Sequence, residues 1–253
     1  MIRGGLTSVT FRQLSATHIV DLVQRTELTA IEWGGDIHVP HGDIKTAREV
    51  SRMTADAGLS VSSYGSYYTV GDESKVQFGD VLDAAAELGA PCIRVWAGDR
   101  GSDSADQAYW DKIVNESRRI GGMAHAAGIC VSYEFHLKTL TDTNDSTLKL
   151  LKAVNHPAIK TYWQPPVGTD LDYNVSGLKA ILPWLTNVHA YELLPDYTRL
   201  PLSEGDAEWH MYLEYIKENR QDRFVLLEFV ANDDPDAFMA DAATLAGWLR
   251  SVD

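Results

Sequence analysis

Residues 124–136 read Ala124-His125-Ala126-Ala127-Gly128-Ile129-Cys130-Val131-Ser132-Tyr133-Glu134-Phe135-His136. Small helix-forming residues run into a glycine, and an apolar, β-branched and aromatic run follows at once. A glycine at this junction supplies the positive φ that closes a helix before a strand. The same texture recurs along the chain, with Gly58 and Gly89 in the place of Gly128. Strand-like runs fall at 6–11, 30–34, 60–67, 92–97, 130–136, 159–164, 187–193 and 223–230. Amphipathic stretches fall near 16–26, 43–58, 75–89, 106–128, 143–154, 174–184, 207–220 and 234–252. Thr143-Asn144-Asp145 and Asp233-Asp234-Pro235 carry the capping oxygens and first-turn proline of helix starts. Eight strand–helix units of about thirty residues predict a parallel sheet covered by helices.

Such a sheet is either open or closed into a barrel. An open, doubly wound sheet advertises a nucleotide through a glycine-rich first turn. Here the first strand leads into Arg12-Gln13-Leu14-Ser15, and Gly34-Gly35 after the second is too little to cradle a phosphate. Eight units without a nucleotide loop predict a single (β/α)8 barrel spanning residues 1–253. The 253 residues, 45% hydrophobic and 23% charged, provide ample core. With no run of eighteen apolar residues and no signal-peptide pattern at the N-terminus, the expected location is the cytoplasm, without membrane contact. A formal charge of −14 opposes phosphate backbones and argues against nucleic acid. Cys92 and Cys130 each open an apolar run, as reduced buried thiols do, and neither is a candidate ligand.

In such barrels the active site lies where the strands end. Strand alternation turns Val225, Leu227 and Phe229 toward the helices and Glu228 into the mouth. The same argument turns Val131, Tyr133 and Phe135 outward and Glu134 and His136 inward. It also points His189 inward and lets Gln164 share a face with Tyr162 and Lys160. A polar residue at one strand end ordinarily just hydrogen-bonds a loop. Two carboxylates facing one cavity are different, because they repel and lose hydration unless a cation lies between them. Glu134, Gln164, His189 and Glu228 offer three oxygen donors and one imidazole. That set suits one divalent ion and does not choose among Mn, Co, Zn and Mg.

At these residues the sequence resembles the xylose isomerase-like barrel superfamily over essentially its whole length. The matching marks are Glu134 ending strand 5, Val188-His189 on strand 7, Glu228 ending strand 8, and the segment from Pro201 to Trp209 leading into helix 7. The resemblance implies metal ligation by Glu134, His189 and Glu228. It also implies an isomerase or epimerase of a keto-sugar in which Glu134 and Glu228 serve as base and acid while the metal stabilises an enediolate. Many members carry aspartate at the end of strand 6, where this chain has Gln164, so the fourth ligand is weakened or only hydrogen-bonds substrate. Members of the superfamily often form homo-oligomers.

Around that centre His136, Arg94, Trp96, Trp33 and Lys160 are candidate substrate contacts. Arg94 could equally pair with Glu134 or Glu32, and Lys160 could lie deeper beside a carboxylate. Trp33, Tyr64, Tyr67, Trp96, Trp163 and Tyr191 crowd the expected mouth, which suits a small-molecule sugar or polyol. No Arg or Lys cluster ends strands 7 and 8, so the substrate is expected to be unphosphorylated. A metal-dependent lyase of the inosose or dehydroshikimate dehydratase kind shares the first proton abstraction and stays open. So does a sugar-binding barrel without catalysis. A phosphodiesterase related to endonuclease IV would need a three-metal cluster with several more histidines, and a basic groove, whereas few of the eight histidines here lie at strand ends.

Overall fold

The computed structural model describes residues 1–72, 74, 76–218 and 221–252. It is a closed barrel of eight parallel strands, each followed by a helix: a (β/α)8 barrel. The barrel strands are β1 (Ile2–Thr7), β2 (Ala30–Gly34), β3 (Ser60–Thr69), β4 (Cys92–Trp96), β5 (Cys130–Tyr133), β6 (Ile159–Trp163), β7 (Leu185–Ala190) and β10 (Arg223–Leu227). The outer ring is α1 (Ala16–Gln24), α2 (Ile44–Asp56), α3 (Phe78–Leu88), α4 (Gln107–Ala126), α5 (Asn144–Val154), α6 (Leu171–Ile181), α7 (Asp206–Glu218) and α8 (Pro235–Val252). Residues 75, 219 and 220, where two helices were expected to begin and end, lie outside the described residues. No helix among the described residues is long and apolar enough to cross a membrane.

The punctuation read from the sequence closes these elements. Gly58, Gly89 and Gly128 adopt φ of +74°, +76° and +72° after α2, α3 and α4. The Thr143 side chain accepts from the Ser146 amide and caps α5. Helix faces and the outward strand residues form one large apolar layer. Inside the barrel, Ala30, Cys92, Tyr162, Phe224 and Leu226 form a second cluster, drawn from alternate strands as barrel layering requires.

Several boundaries differ from the sequence reading. The first strand runs 2–7 rather than 6–11, and Ser8–Phe11 turn as a 3-10 segment. Gly4-Gly5 lies inside this strand, where neighbouring groups come too close for a side chain. A Cβ on Gly5 would lie 2.7 Å from the Ala30 carbonyl oxygen and 2.7 Å from Leu226 Cδ2. We therefore predict that Gly5→Ala costs roughly 1–3 kcal/mol by overpacking. An unchanged midpoint in chemical denaturation would contradict this.

Strands 5, 7 and 8 also stop earlier than expected. The run 187–193 divides into β7 and a short β8 (Glu192–Leu193), which pairs antiparallel with β9 (Arg199–Leu200) in a hairpin beside the mouth. Because β5 ends at Tyr133 and β10 at Leu227, alternation no longer governs the residues beyond them. Phe135 and Phe229, expected to face helices, line the mouth cavity instead, Phe229 with φ +61°.

Candidate metal centre

Glu134 and Glu228 are the first residues beyond β5 and β10, and the neighbouring strands hold both backbones. The Glu134 amide donates to Val95 O (2.9 Å) and the Glu228 amide to Ala190 O (3.0 Å). His189 projects from β7, and Gln164 follows β6 directly. One donor atom each from Glu134, His189 and Glu228 lies within 4.8 Å of the others, and all three residues are buried. His189 Nδ1 donates to Gln164 Oε1 at 2.9 Å and lies 3.2 Å from Glu228 Oε2. All four residues expected to meet are therefore brought to one point.

Beneath them lies a second buried carboxylate system. Arg94 Nε donates to Glu32 Oε1 at 2.8 Å, and Nη1 donates to Glu134 Oε2, which also accepts from Trp96 Nε1 at 2.7 Å. Glu32 takes further bonds from Ser63 and Tyr162, each at 2.8 Å. His189 Nε2 lies 3.6 Å from Glu32 Oε1. Burial would raise the Glu32 carboxyl, but Arg94 and then His189 outweigh it and hold it low. Burial likewise opposes charge on His189, yet Glu228 and then Glu32 lift it to about 10. Glu228 is also held low: burial works against its charge, and His189 and Arg94 prevail.

These residues fit a divalent ion. Glu32, Glu134 and Glu228 against Arg94 leave two negative charges in a buried cluster, which one divalent cation with a neutral His189 would close. Glu228 Oε2 and His189 Nε2 have no hydrogen-bond partner despite their burial. An orphaned carboxylate oxygen facing an imidazole nitrogen and an amide oxygen is a donor set in search of a Lewis acid. A His189 nitrogen must lose its proton to bind an ion. With the residue at about 10 in the ion-free protein, loading at pH 7.5 should release close to one proton. Affinity should climb about tenfold per pH unit up to about pH 10. By the same sign, the His189 proton stabilises the ion-free fold below about pH 6.5, and that contribution fades as pH rises through about 10. Calorimetric titration in buffers of different protonation enthalpy checks the release, and pH-independent uptake between pH 6 and 9 would contradict it.

Glu134 and Gln164 of the centre line a cavity of about 450 Å³, lined also by His136, Lys138, Tyr191, Tyr197 and Phe229. His136 packs against Trp96 with ring centroids 5.2 Å apart. Its Nδ1 lies 2.7 Å from Leu137 O, so that nitrogen carries the proton and Nε2 keeps its lone pair. Arg94 is committed to Glu32 and Glu134 rather than exposed to the cavity.

Two expected contacts lie elsewhere. Trp33 is fully buried in the helix layer, with Nε1 donating to Thr54 Oγ1, because alternation sends it opposite to Glu32. Lys160 shares a face with Gln164 but sits four residues earlier, about 13 Å down the strand, where it lines a cavity at the far end. Tyr64 and Trp163 also belong to the outer apolar layer, whereas Tyr67 packs on Trp96 and Tyr191 lines the mouth. Lys138, Tyr197 and Phe229 escaped the sequence reading. Each takes a positive φ in a loop, and loop conformation leaves no periodic signal.

Comparison with known proteins agrees with the barrel fold. A 3-dehydroshikimate dehydratase of Bacillus anthracis is 24% identical, with 95% of each chain covered. The crystal structure of a probable 3-DHS dehydratase from Bacillus anthracis, 23% identical, superposes with a TM-score of 0.82 over 96% of this chain and 98% of that one. D-psicose 3-epimerase of Clostridium cellulolyticum H10, solved with D-tagatose, is 15% identical with a TM-score of 0.73 over 99% of each. The sequence profile described as xylose isomerase-like TIM barrel matches residues 20–252, and the chain belongs to that family.

Proposed function

We propose that this protein is a divalent-metal-dependent lyase that removes water from a small polyhydroxylated ketone. The observation that carries the reading is the asymmetry of the two ligand carboxylates. Epimerisation needs two groups that each take and return a proton, one on either face of the substrate. Glu134 is poorly placed for that, because its Oε2 already accepts from both Arg94 and Trp96, and the ion would take the other oxygen. Elimination asks for one proton carrier beside the ion, and His136 is built as one.

When bound, the ion would polarise the ketone and offset the negative charge that develops on its oxygen. Glu134, His189 and Glu228 would hold it, with the Gln164 carbonyl as a fourth, uncharged donor. His136 Nε2 takes the proton from the carbon beside the carbonyl, and the C–H electron pair becomes the new C=C bond. The C–O bond on the next carbon breaks, and His136 returns its proton to the leaving oxygen as water. Leu137 O holds Nδ1–H throughout and offsets the imidazolium's charge. The apolar walls, Tyr191 and Phe229 among them, limit water at the reacting carbons. The dehydratase relative supports elimination over epimerisation.

An epimerase acting through Glu134 and Glu228 is the second reading, favoured by both carboxylates reaching one point and by the resemblance to the psicose 3-epimerase fold. The test incubates manganese-loaded protein with 3-dehydroshikimate and with free ketohexoses. A lyase yields new ultraviolet absorbance and a product lighter by one water. An epimerase yields a diastereomer of unchanged mass that carries solvent deuterium. His136→Asn should lower lyase turnover roughly 10²–10⁴-fold with metal content intact, and full activity in that variant would exclude His136 as the proton carrier.

A further inference from the structure

At the opposite end of the barrel, Cys92 of β4 and Cys130 of β5 are directly paired in register. Both project inward, Cys92 within the interior cluster and Cys130 packed against it. In-register pairing on neighbouring parallel strands sets the two sulfurs side by side, and Cys92 Sγ donates to Ser132 Oγ at 3.1 Å. Together they line a cavity of about 300 Å³ that Lys160, Arg3 and Thr186 also line. Cys130 is half-buried, which gives a small species a path from solvent to the pair. Nothing in the proposed reaction uses these groups, which sit at the end of the barrel opposite the mouth.

We propose that Cys92 and Cys130 form a two-thiolate site for a soft monovalent cation of the Cu(I) class. Two sulfurs side by side on neighbouring strands select soft ions over the hard or borderline ion expected above. Charge selects the valence. Two thiolates and one monovalent ion leave a single negative charge, which offsets the net single positive charge of Lys160, Arg3 and Asp222 at the same cavity. A divalent ion would leave that positive charge without an offset. Binding releases two thiol protons and changes no oxidation state. The first thiolate forms at Cys130, where Cys92, then Ser132 and Lys160, favour the charged form against burial, whereas burial pushes Cys92 up.

The experiment is an anaerobic competition in which manganese-loaded whole protein draws Cu(I) from its bicinchoninate complex. The expected result is one equivalent withdrawn, with iodoacetamide alkylation of Cys130 blocked in the loaded protein. Cys92→Ser and Cys130→Ser should each lose at least tenfold in affinity, while Glu228→Gln should draw copper as the wild type does. Retention of all copper by the chelator would overturn the site, and this arm needs only the wild type. Comparable uptake of Zn(II) at the thiols would overturn the monovalent assignment, and undiminished uptake by the serine variants would place the copper elsewhere.

Discussion

Glu228→Gln is expected to fold and to lose the metal. In the ion-free protein it removes both the attraction of Glu228 for the protonated His189 and its repulsion of Glu32, so its effect on stability is small beside its effect on binding. The loaded protein loses a charged ligand. Replacing groups that merely orient a ligand costs 10–100-fold in affinity, so loss of a carboxylate ligand should cost roughly 100-fold or more. Thermal unfolding turns this into a measurable difference. At an ion concentration of about 1,000 Kd the wild type gains about 4 kcal/mol, whereas a variant binding 100-fold more weakly gains about 1.4 kcal/mol. Elemental analysis after gel filtration should find about one equivalent in the wild type and little in the variant. Equal metal content in both proteins would remove Glu228 from the site and with it the charge argument for a divalent ion.

Arg94→Met carries the opposite signature. Arg94 is about 1% exposed, and its guanidinium holds Glu32 and Glu134 together beneath the ligands. Methionine keeps much of the volume and abandons both carboxylates, and breaking a buried pair in this way costs about 3–5 kcal/mol. The loss should appear in the ion-free protein and exceed that of Glu228→Gln, which leaves Arg94 on both of its carboxylates. Adding Glu32→Gln to Arg94→Met should recover part of it, because one stranded charge is gone. A double-mutant cycle in urea measures the coupling. A cost below about 1 kcal/mol for Arg94→Met would mean that the cluster tolerates its charges without the arginine.

The architecture was legible because it is periodic. Glycine-closed helices and alternating strands announce themselves locally, and the ends of four of those strands name Glu134, Gln164, His189 and Glu228. The sequence also carried Glu32 as a partner for Arg94, though not that the pair underpins His189. What it concealed has two physical causes. Trp33 is a neighbour in sequence to a barrel-facing residue, and strand parity makes such neighbours strangers in space. Lys160 has the right parity but the wrong height, a coordinate that alternation does not encode. The lyase reading over the epimerase also needed three dimensions, because it rests on two donors converging on one oxygen of Glu134.

The early ends of β5 and β10 have a consequence for how this site diversifies. While a chain remains in a strand, only alternate residues reach the barrel's interior. By leaving the strand at the ligand itself, the chain lets consecutive residues serve two trades: Glu134 and Glu228 grip, while Phe135 and Phe229 shape the wall. The wall can then be recut without touching the grip. Substrate preference and metal affinity become separately heritable traits written at adjacent positions, and variation at 135 and 229 would retune one while leaving the other alone.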